Sequence, residues 1–196
     1  MVFPSGLKAA DKGEIIYWHS SPLKKKLYLL PIYIIISNVM KPKLYIETSL
    51  ISYLTARPSR DLIVAAQQQV THEWWKNRRS KFEMYISQLV IQEAKDGDEE
   101  AAAKRLKALE NIPLLDLRVE ALDLAEKFVR SKALPQKAFD DALHISVAAI
   151  YGLDYLLTWN CKHIANAEIQ KEISRVSFEE GYELPIICTP YELMGG

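Results

Sequence analysis

The sequence predicts an α/β domain whose mostly parallel sheet is covered by helices on both faces. Two observations carry this. From residue 40 onward, short β-rich runs alternate with longer segments of helical period, the pattern of strands joined by crossover helices. The helical segments also carry start and stop residues at their ends, among them Asp61, Asp98 and Gly152. The chain has 196 residues, 49% hydrophobic and 26% charged. That is enough to bury one core without disulfides or structural metal.

Taken in order, Leu44-Tyr45-Ile46 is the first predicted strand, and Glu47-Thr48-Ser49 turns it into a helix reaching about Thr55. Pro58-Ser59-Arg60-Asp61 breaks the chain and caps a helix running to about Lys76. Phe82 to Ser87 reads as a second strand, with Ser87 capping a short helix from Leu89 to Lys95. Asp96-Gly97-Asp98 separates it from the Ala-rich helix Glu99 to Glu110. Ile112 to Leu115 is a third strand, and Val119 to Lys132 a helix with Leu122, Ala125, Phe128 and Val129 on one face. Phe139 to Tyr151 is nearly all apolar after its first turn, so it should be buried. Asp154 to Thr158 is a fourth strand, Cys161–Ala165 and Glu168–Phe178 are helical, and Ile186 to Cys188 is a last strand. Thr189-Pro190-Tyr191-Glu192 has the form of a capping box opening a terminal helix.

Residues 1–39 differ in character. Lys24-Lys25-Lys26 precede an apolar run from Leu27 to Ile36 broken by Pro31. That run is too short to span a bilayer and lacks a good cleavage site for a signal peptide. An extra strand is one reading. The preferred one takes Met40 as the natural start, with 1–39 an upstream extension and 40–196 the domain. Lys plus Arg equals Asp plus Glu at 25 each, so any nucleic-acid partner must be met by a local basic patch. Cys161 and Cys188 have neither metal-ligand nor disulfide-framework spacing. They are expected to be small buried side chains of a cytoplasmic protein.

Acids at the carboxyl ends of strands matter most, because the crevice of an open parallel sheet lies there. Glu47 ends the first strand, where a half-buried carboxylate needs a partner or a metal. Glu93 lies on the helix after the second strand, Asp140 and Asp141 open the apolar helix, and Asn160 follows the fourth strand. Hard oxygen ligands of this kind suit Mg²⁺ or Mn²⁺, which can activate water against a phosphodiester. Asp140 and Asp141 have a plainer use in favouring a helix N-terminus, and Glu93 could be an ordinary surface acid.

Four segments now form a recognisable series: Leu44 to Ser49, Ser87 to Glu93, Asp141 to Ile145, and Leu156 to Asn160. They resemble the successive motifs of PIN domains, and most closely those of VapC-type ribonuclease toxins of toxin–antitoxin pairs. The resemblance spans residues 41–194. It implies a three-layer α/β/α fold and a Mg²⁺- or Mn²⁺-dependent endoribonuclease. Its partners would be RNA and a small antitoxin protein, its state a homodimer, with no membrane association. By position Glu47, Glu93, Asp141 and Asn160 stand at the four catalytic places, with Asp140 as a further metal ligand and Thr48 and Ser49 supporting. Glu47 and Asn160 replace the usual Asp. The alternative function is therefore a PIN-fold module weakened in catalysis that binds RNA or a protein.

Three further features have two readings each. His144 follows Asp141 by three residues; a packed core histidine is preferred over a metal or proton-transfer role. His163 lies two residues from Cys161, but no second pair completes a zinc site. Trp75, Lys76, Arg78 and Arg79 fall in a basic aromatic stretch, Trp74 to Lys81. It suits RNA or partner contact, or a helix C-terminus with one Trp packed inward.

Overall fold

A computed structural model describes the chain from residue 40 to 195, with the backbone at 9–10 and 14–15. The chain divides into two compact units, Met1–Met40 and Lys41–Gly196. In the first, Ala9–Ala10 pairs antiparallel with Glu14–Ile15. The apolar run from Leu27 to Ile36 lies outside the described residues.

In the second unit the strands are β1 (Lys43–Ile46), β2 (Glu83–Ser87), β3 (Leu114–Leu115), β4 (Tyr155–Leu157) and β5 (Ile186–Cys188). All neighbours are parallel, in the order β3-β2-β1-β4-β5. The helices are α1 (Thr48–Thr55), α2 (Leu62–Asn77), α3 (Gln88–Ala94), α4 (Glu99–Leu109), α5 (Val119–Arg130), α6 (Phe139–Ile150) and α7 (Ala167–Glu179). The chain winds outward from β1 through β2 to β3, then returns through α5 and α6 to β4 on the other side of β1. Right-handed crossovers then put α1–α4 on one face and α5–α7 on the other. The result is the three-layer α/β/α arrangement, and its direction reverses beside β1.

Burial follows from this position. Leu44, Tyr45 and Ile46 of the central strand are all fully buried, as expected for a strand covered on both sides. Helix α6 packs on α5 and buries every residue from Ala142 to Ala149. It stops in a Schellman motif: Gly152 takes φ +58, its N–H reaches Ala149 O, and Leu153 N–H reaches Ala148 O. Asp61 caps α2 through Ile63 and Val64 N–H, and Asp98 caps α4 through Ala101 N–H.

Several local expectations need correcting. The core face of α5 is Ala121, Leu124, Ala125 and Phe128, with Leu122 and Val129 only half-buried at its edges. Cys161–Ala165 forms turns, not a helix, because Ile164 and Ala165 N–H both return to Asn160 O and Asn166 then caps α7 afresh. After β5, Glu192 does accept from Thr189 N–H at 2.8 Å, but the hydroxyl of Thr189 also turns to that carboxylate. It leaves the backbone uncapped, and only a turn forms. Cys161 is exposed, while Cys188 is buried as expected.

Candidate active site

The carboxyl ends of β1, β2 and β4 meet where the winding reverses, and the polar side chains gather there. Glu47 leaves β1 with extended backbone and serves as the N-cap of α1. Its Oε1 accepts from Ser49 N–H at 3.0 Å, and its Oε2 accepts from the hydroxyls of Ser49 and, at 2.6 Å, Thr158. The residue is only 6% exposed. Three neutral donors therefore offset part of the cost of burying this carboxylate, and a cation would offset more.

Glu93 comes from α3, and its Oε2 accepts from the Thr48 hydroxyl and from His144 Nε2 at 3.0 Å. Burial pushes this carboxyl up, but the His144 hydrogen bond and charge, with the Thr48 hydroxyl, outweigh it and hold the group below its ordinary value. His144 is 1% exposed. Its Nδ1 meets the Tyr45 hydroxyl at 2.8 Å, and that hydroxyl meets Ser87 Oγ at 2.7 Å. Burial draws the imidazole down, yet the hydrogen bond to Glu93 and the charges of Glu47, Glu93 and Asp141 raise it overall. Burial also lifts the Tyr45 hydroxyl far above its ordinary range, so it stays protonated. A neutral His144 gives its Nε2 proton to ionised Glu93 and accepts at Nδ1 from Tyr45. A charged one donates at both nitrogens, and Tyr45 then donates to Ser87.

Asp141 opens α6 and accepts at Oδ1 from Asn160 Nδ2 at 2.7 Å and at Oδ2 from His163 Nδ1 at 2.8 Å. Asn160 Oδ1 in turn accepts from His163 N–H at 3.1 Å, and Asn160 N–H donates to Thr158 Oγ1 at 2.8 Å. Since Thr158 also bonds Glu47, the two acids are linked through the loop after β4. In that loop Trp159 N–H donates to Ser49 Oγ, and its indole N–H donates to Thr71 of α2 at 2.7 Å.

Among the described residues, one set of three acid or imidazole side chains brings ligand atoms within 4.8 Å of one another: Glu47, Glu93 and His144. Asp141 stands outside that set. The single cluster expected from the sequence is thus two adjoining ones. The Asn160 carbonyl oxygen is turned to the His163 backbone N–H. Asp140 is exposed. Ser87 holds the N-cap position of α3, but its hydroxyl serves Tyr45 rather than the helix. Two carboxylates whose oxygens come within 4.8 Å are the donor type that suits one hard cation. Glu93 Oε1 makes no hydrogen bond among the described residues, and each Asp141 oxygen accepts only one. Ligand capacity therefore remains on Glu93 and Asp141.

Sequence reasoning does not reach His163, Thr158 or Tyr45 as site residues. Thr158 and His163 flank Asn160 by two and three residues, a spacing that a loop at a strand end brings together. Tyr45 carries no such signal, because an aromatic in an apolar strand reads as core.

The basic stretch lies elsewhere. Trp74 is fully buried at the end of α2, and Arg79 stacks over the Trp75 ring, 4.9 Å from its centroid. Arg78 reaches Leu193 O at 3.3 Å. Residues 78–82 lead into the amino end of β2, so the stretch sits about a strand length, roughly 16 Å, from the acids.

The family model for the PIN domain matches residues 44–167, more than half of the chain. The chain belongs to the PIN domain family. No curated protein sequence matches it. Among solved structures, this PIN domain is similar to VapBC2 of Rickettsia felis, bound to a DNA fragment from its promoter. The match covers 75% of this chain and 98% of that one, at 15% identity and a TM-score of 0.49. VapC20 of Mycobacterium tuberculosis, a sarcin–ricin-loop-cleaving toxin, matches over 63% and 95%, at 16% identity and a TM-score of 0.46. Tyrosyl-tRNA synthetase of Archaeoglobus fulgidus matches over 80% and 56%, at 13% identity and a TM-score of 0.39. Among the described residues no helix is long and apolar enough to cross a membrane.

Proposed function

We propose that this PIN domain is a metal-dependent endoribonuclease, the toxin of a toxin–antitoxin pair, acting in the cytoplasm on RNA phosphodiester bonds. The supporting observation is the approach of Glu47, at the end of β1, and Glu93, on the helix after β2, to within 4.8 Å at the point where the winding reverses. Paired carboxylates repel unless a cation lies between them. Glu47, Glu93 and Asp141 would hold Mg²⁺ or Mn²⁺, with Asp140 at the rim. The bound ion would supply a water of lowered pKa and charge opposite the phosphate oxygens. Thr48 and Ser49 hold the two glutamates in place through their hydroxyls. Thr158 ties the Glu47 side to the Asn160–Asp141 side. A small antitoxin as inhibitor and a homodimer as assembly belong to the same proposal.

Asp141→Asn tests it. The asparagine can still accept from Asn160, and its amide can donate to a neutral His163, so both local bonds survive. The purified protein should cleave RNA with Mg²⁺ or Mn²⁺ and stop when EDTA is added. The variant should lose cleavage while its stability changes by no more than about 1 kcal/mol. Cleavage that persists in EDTA, or in folded Asp141→Asn, rules the mechanism out.

One observation favours the second reading, a module that binds without cutting. Asn160 offers no charge at the fourth position, and its carbonyl oxygen is spent on His163 N–H. RNA or protein binding without cleavage in either metal would select it.

A further inference from the structure

Helix α1 runs away from the acids with a half-exposed polar face. Thr48, Leu50 and Ile51 are buried; Ser52 and Thr55 continue the Thr48 side at helical spacing, with Ser49 and Tyr53 on the strip beside it, and these four are half-buried. No residue of this helix is charged. The strip holding Thr48 begins at Glu93, to which Thr48 is bonded. Ser52 and Thr55 follow about 6 and 10.5 Å further along the axis.

That strip runs into a cavity of about 420 Å³ between the end of α1 and the start of α4, lined by Ser52, Thr55, Arg57, Lys104 and Arg105, with Asp98 and Glu100. Asp98 is committed to capping α4. Arg105 is aimed by bonds from its guanidinium to Ala94 O at 3.0 Å and to Asp96 O. Arg57 and Lys104 share the single carboxylate of Glu100, at 3.6 and 2.7 Å. All three side chains are largely exposed, so these pairs are weak in water and exchange readily for another anion. On the neighbouring strip, the Tyr53 ring stacks on Trp159 at 5.9 Å between centroids. The Trp159 indole is pinned by Thr71 and its backbone N–H by Ser49.

We propose that the half-exposed face of α1 is the track for single-stranded RNA leading away from the acids. A neighbouring phosphate sits in the Arg57–Lys104–Arg105 cavity, and a base stacks against the Tyr53–Trp159 pair. This rests on the ribonuclease reading above and adds where the strand lies. Cations beside half-exposed aromatic rings are the means by which a protein holds a single strand irrespective of its sequence. The hydroxyls of Thr48 and Thr55 already donate to Glu93 and to Ile51 O, so Ser52 is the one that adds a donor without repelling phosphate. Glu100 sets the cost of entry, because a phosphate must displace it from both cations.

The test measures binding of a labelled single-stranded RNA oligonucleotide to the full chain in EDTA, between 50 and 200 mM salt, so that cleavage does not intrude. Arg57→Ala with Lys104→Ala should weaken binding and flatten the log–log salt slope by about 0.7 for each phosphate left without its cation. Tyr53→Leu should weaken binding about tenfold while leaving the slope unchanged. Glu100→Gln should tighten binding. Lys76→Ala with Arg79→Ala, at the far end of the sheet, should leave both affinity and slope unchanged. The track is overturned if the Arg57/Lys104 pair and Tyr53→Leu both bind as the wild type does, or if the Lys76/Arg79 pair takes the loss instead. In either case RNA cleavage by the wild type would leave the ribonuclease reading standing. A wild type that neither binds nor cleaves RNA ends both.

Discussion

Asn160 donates its side-chain amide to Asp141, Nδ2 to Oδ1 at 2.7 Å, in a site built to gather negative charge. The amide group cannot be turned round without loss. Its oxygen already takes His163 N–H, and Asp141 needs a donor. The neutral residue therefore lets Asp141 and the loop after β4 settle without a metal, where a fourth carboxylate would push them apart.

Asn160→Asp should show this trade directly. In EDTA the variant loses a donor and places two carboxylates in contact, so it should be about 1–2 kcal/mol less stable than the parent. With Mn²⁺ added, the extra charge should tighten binding, and the variant's melting temperature should rise more than the parent's. A variant equally stable in EDTA, with no greater response to Mn²⁺, would mean that the 160 position does not face the metal at all.

What the sequence makes legible depends on the kind of signal each residue sends. The strand–helix order is readable because local pattern and tertiary position agree: an apolar run as short as Leu44–Ile46 can only be a covered strand. The acids are readable because strand ends advertise themselves. What each acid is bonded to is not, since Glu93 meets His144 across 51 residues and Glu47 meets Thr158 across 111. His144 reads as a packed histidine, and it is buried; its bond to Glu93, on a helix of the opposite face, is visible only once the sheet brings their ends together. The capping role expected of Ser87 fails for the same reason, because a buried tyrosine hydroxyl outcompetes the local helix for its oxygen.

The His144–Glu93 pair makes stability depend on pH in two directions. His144 is raised above the ordinary histidine value of 6.5. Its contribution is therefore full below pH 6.5 and is lost as pH rises through the folded value. Glu93 is lowered beneath the ordinary 4.5, so its contribution is present above pH 4.5 and is lost as pH falls through its folded value. Metal-free protein should be most stable between those limits. Urea midpoints should fall as pH rises beyond 6.5, and His144→Gln should flatten that fall. A parent whose midpoint does not change from pH 6 to 8 would show that folding does not raise the imidazole above its ordinary value.

A chain beginning at Met40 should fold and keep whatever activity the full chain has. Lys41–Gly196 forms a compact unit by itself, and its central strand starts at Lys43 with Glu83 N–H bonded to Pro42 O. Far-ultraviolet circular dichroism and melting temperature of the shortened protein should match the same unit in the full chain. An insoluble or molten product would make residues 1–39 part of the fold.

Tyr45→Phe isolates the buried polar chain from the acids. The ring is fully buried, and removing one oxygen alters its volume little. Ser87 Oγ and His144 Nδ1, both in buried residues, lose their common partner at once. Leaving such groups unmatched costs about 1–3 kcal/mol, which should appear as a lower urea midpoint with unchanged slope. Replacing Ser87 by Ala in the same chain removes one orphan and should recover part of the loss. The effect should also reach the site, because His144 freed at Nδ1 can tilt away from Glu93. Mn²⁺ binding should therefore weaken in Tyr45→Phe although no ligand has changed. A variant that binds Mn²⁺ as tightly as the parent would confine the Tyr45 hydroxyl to stability. One that also unfolds at the parent's urea concentration would deny it any part in either.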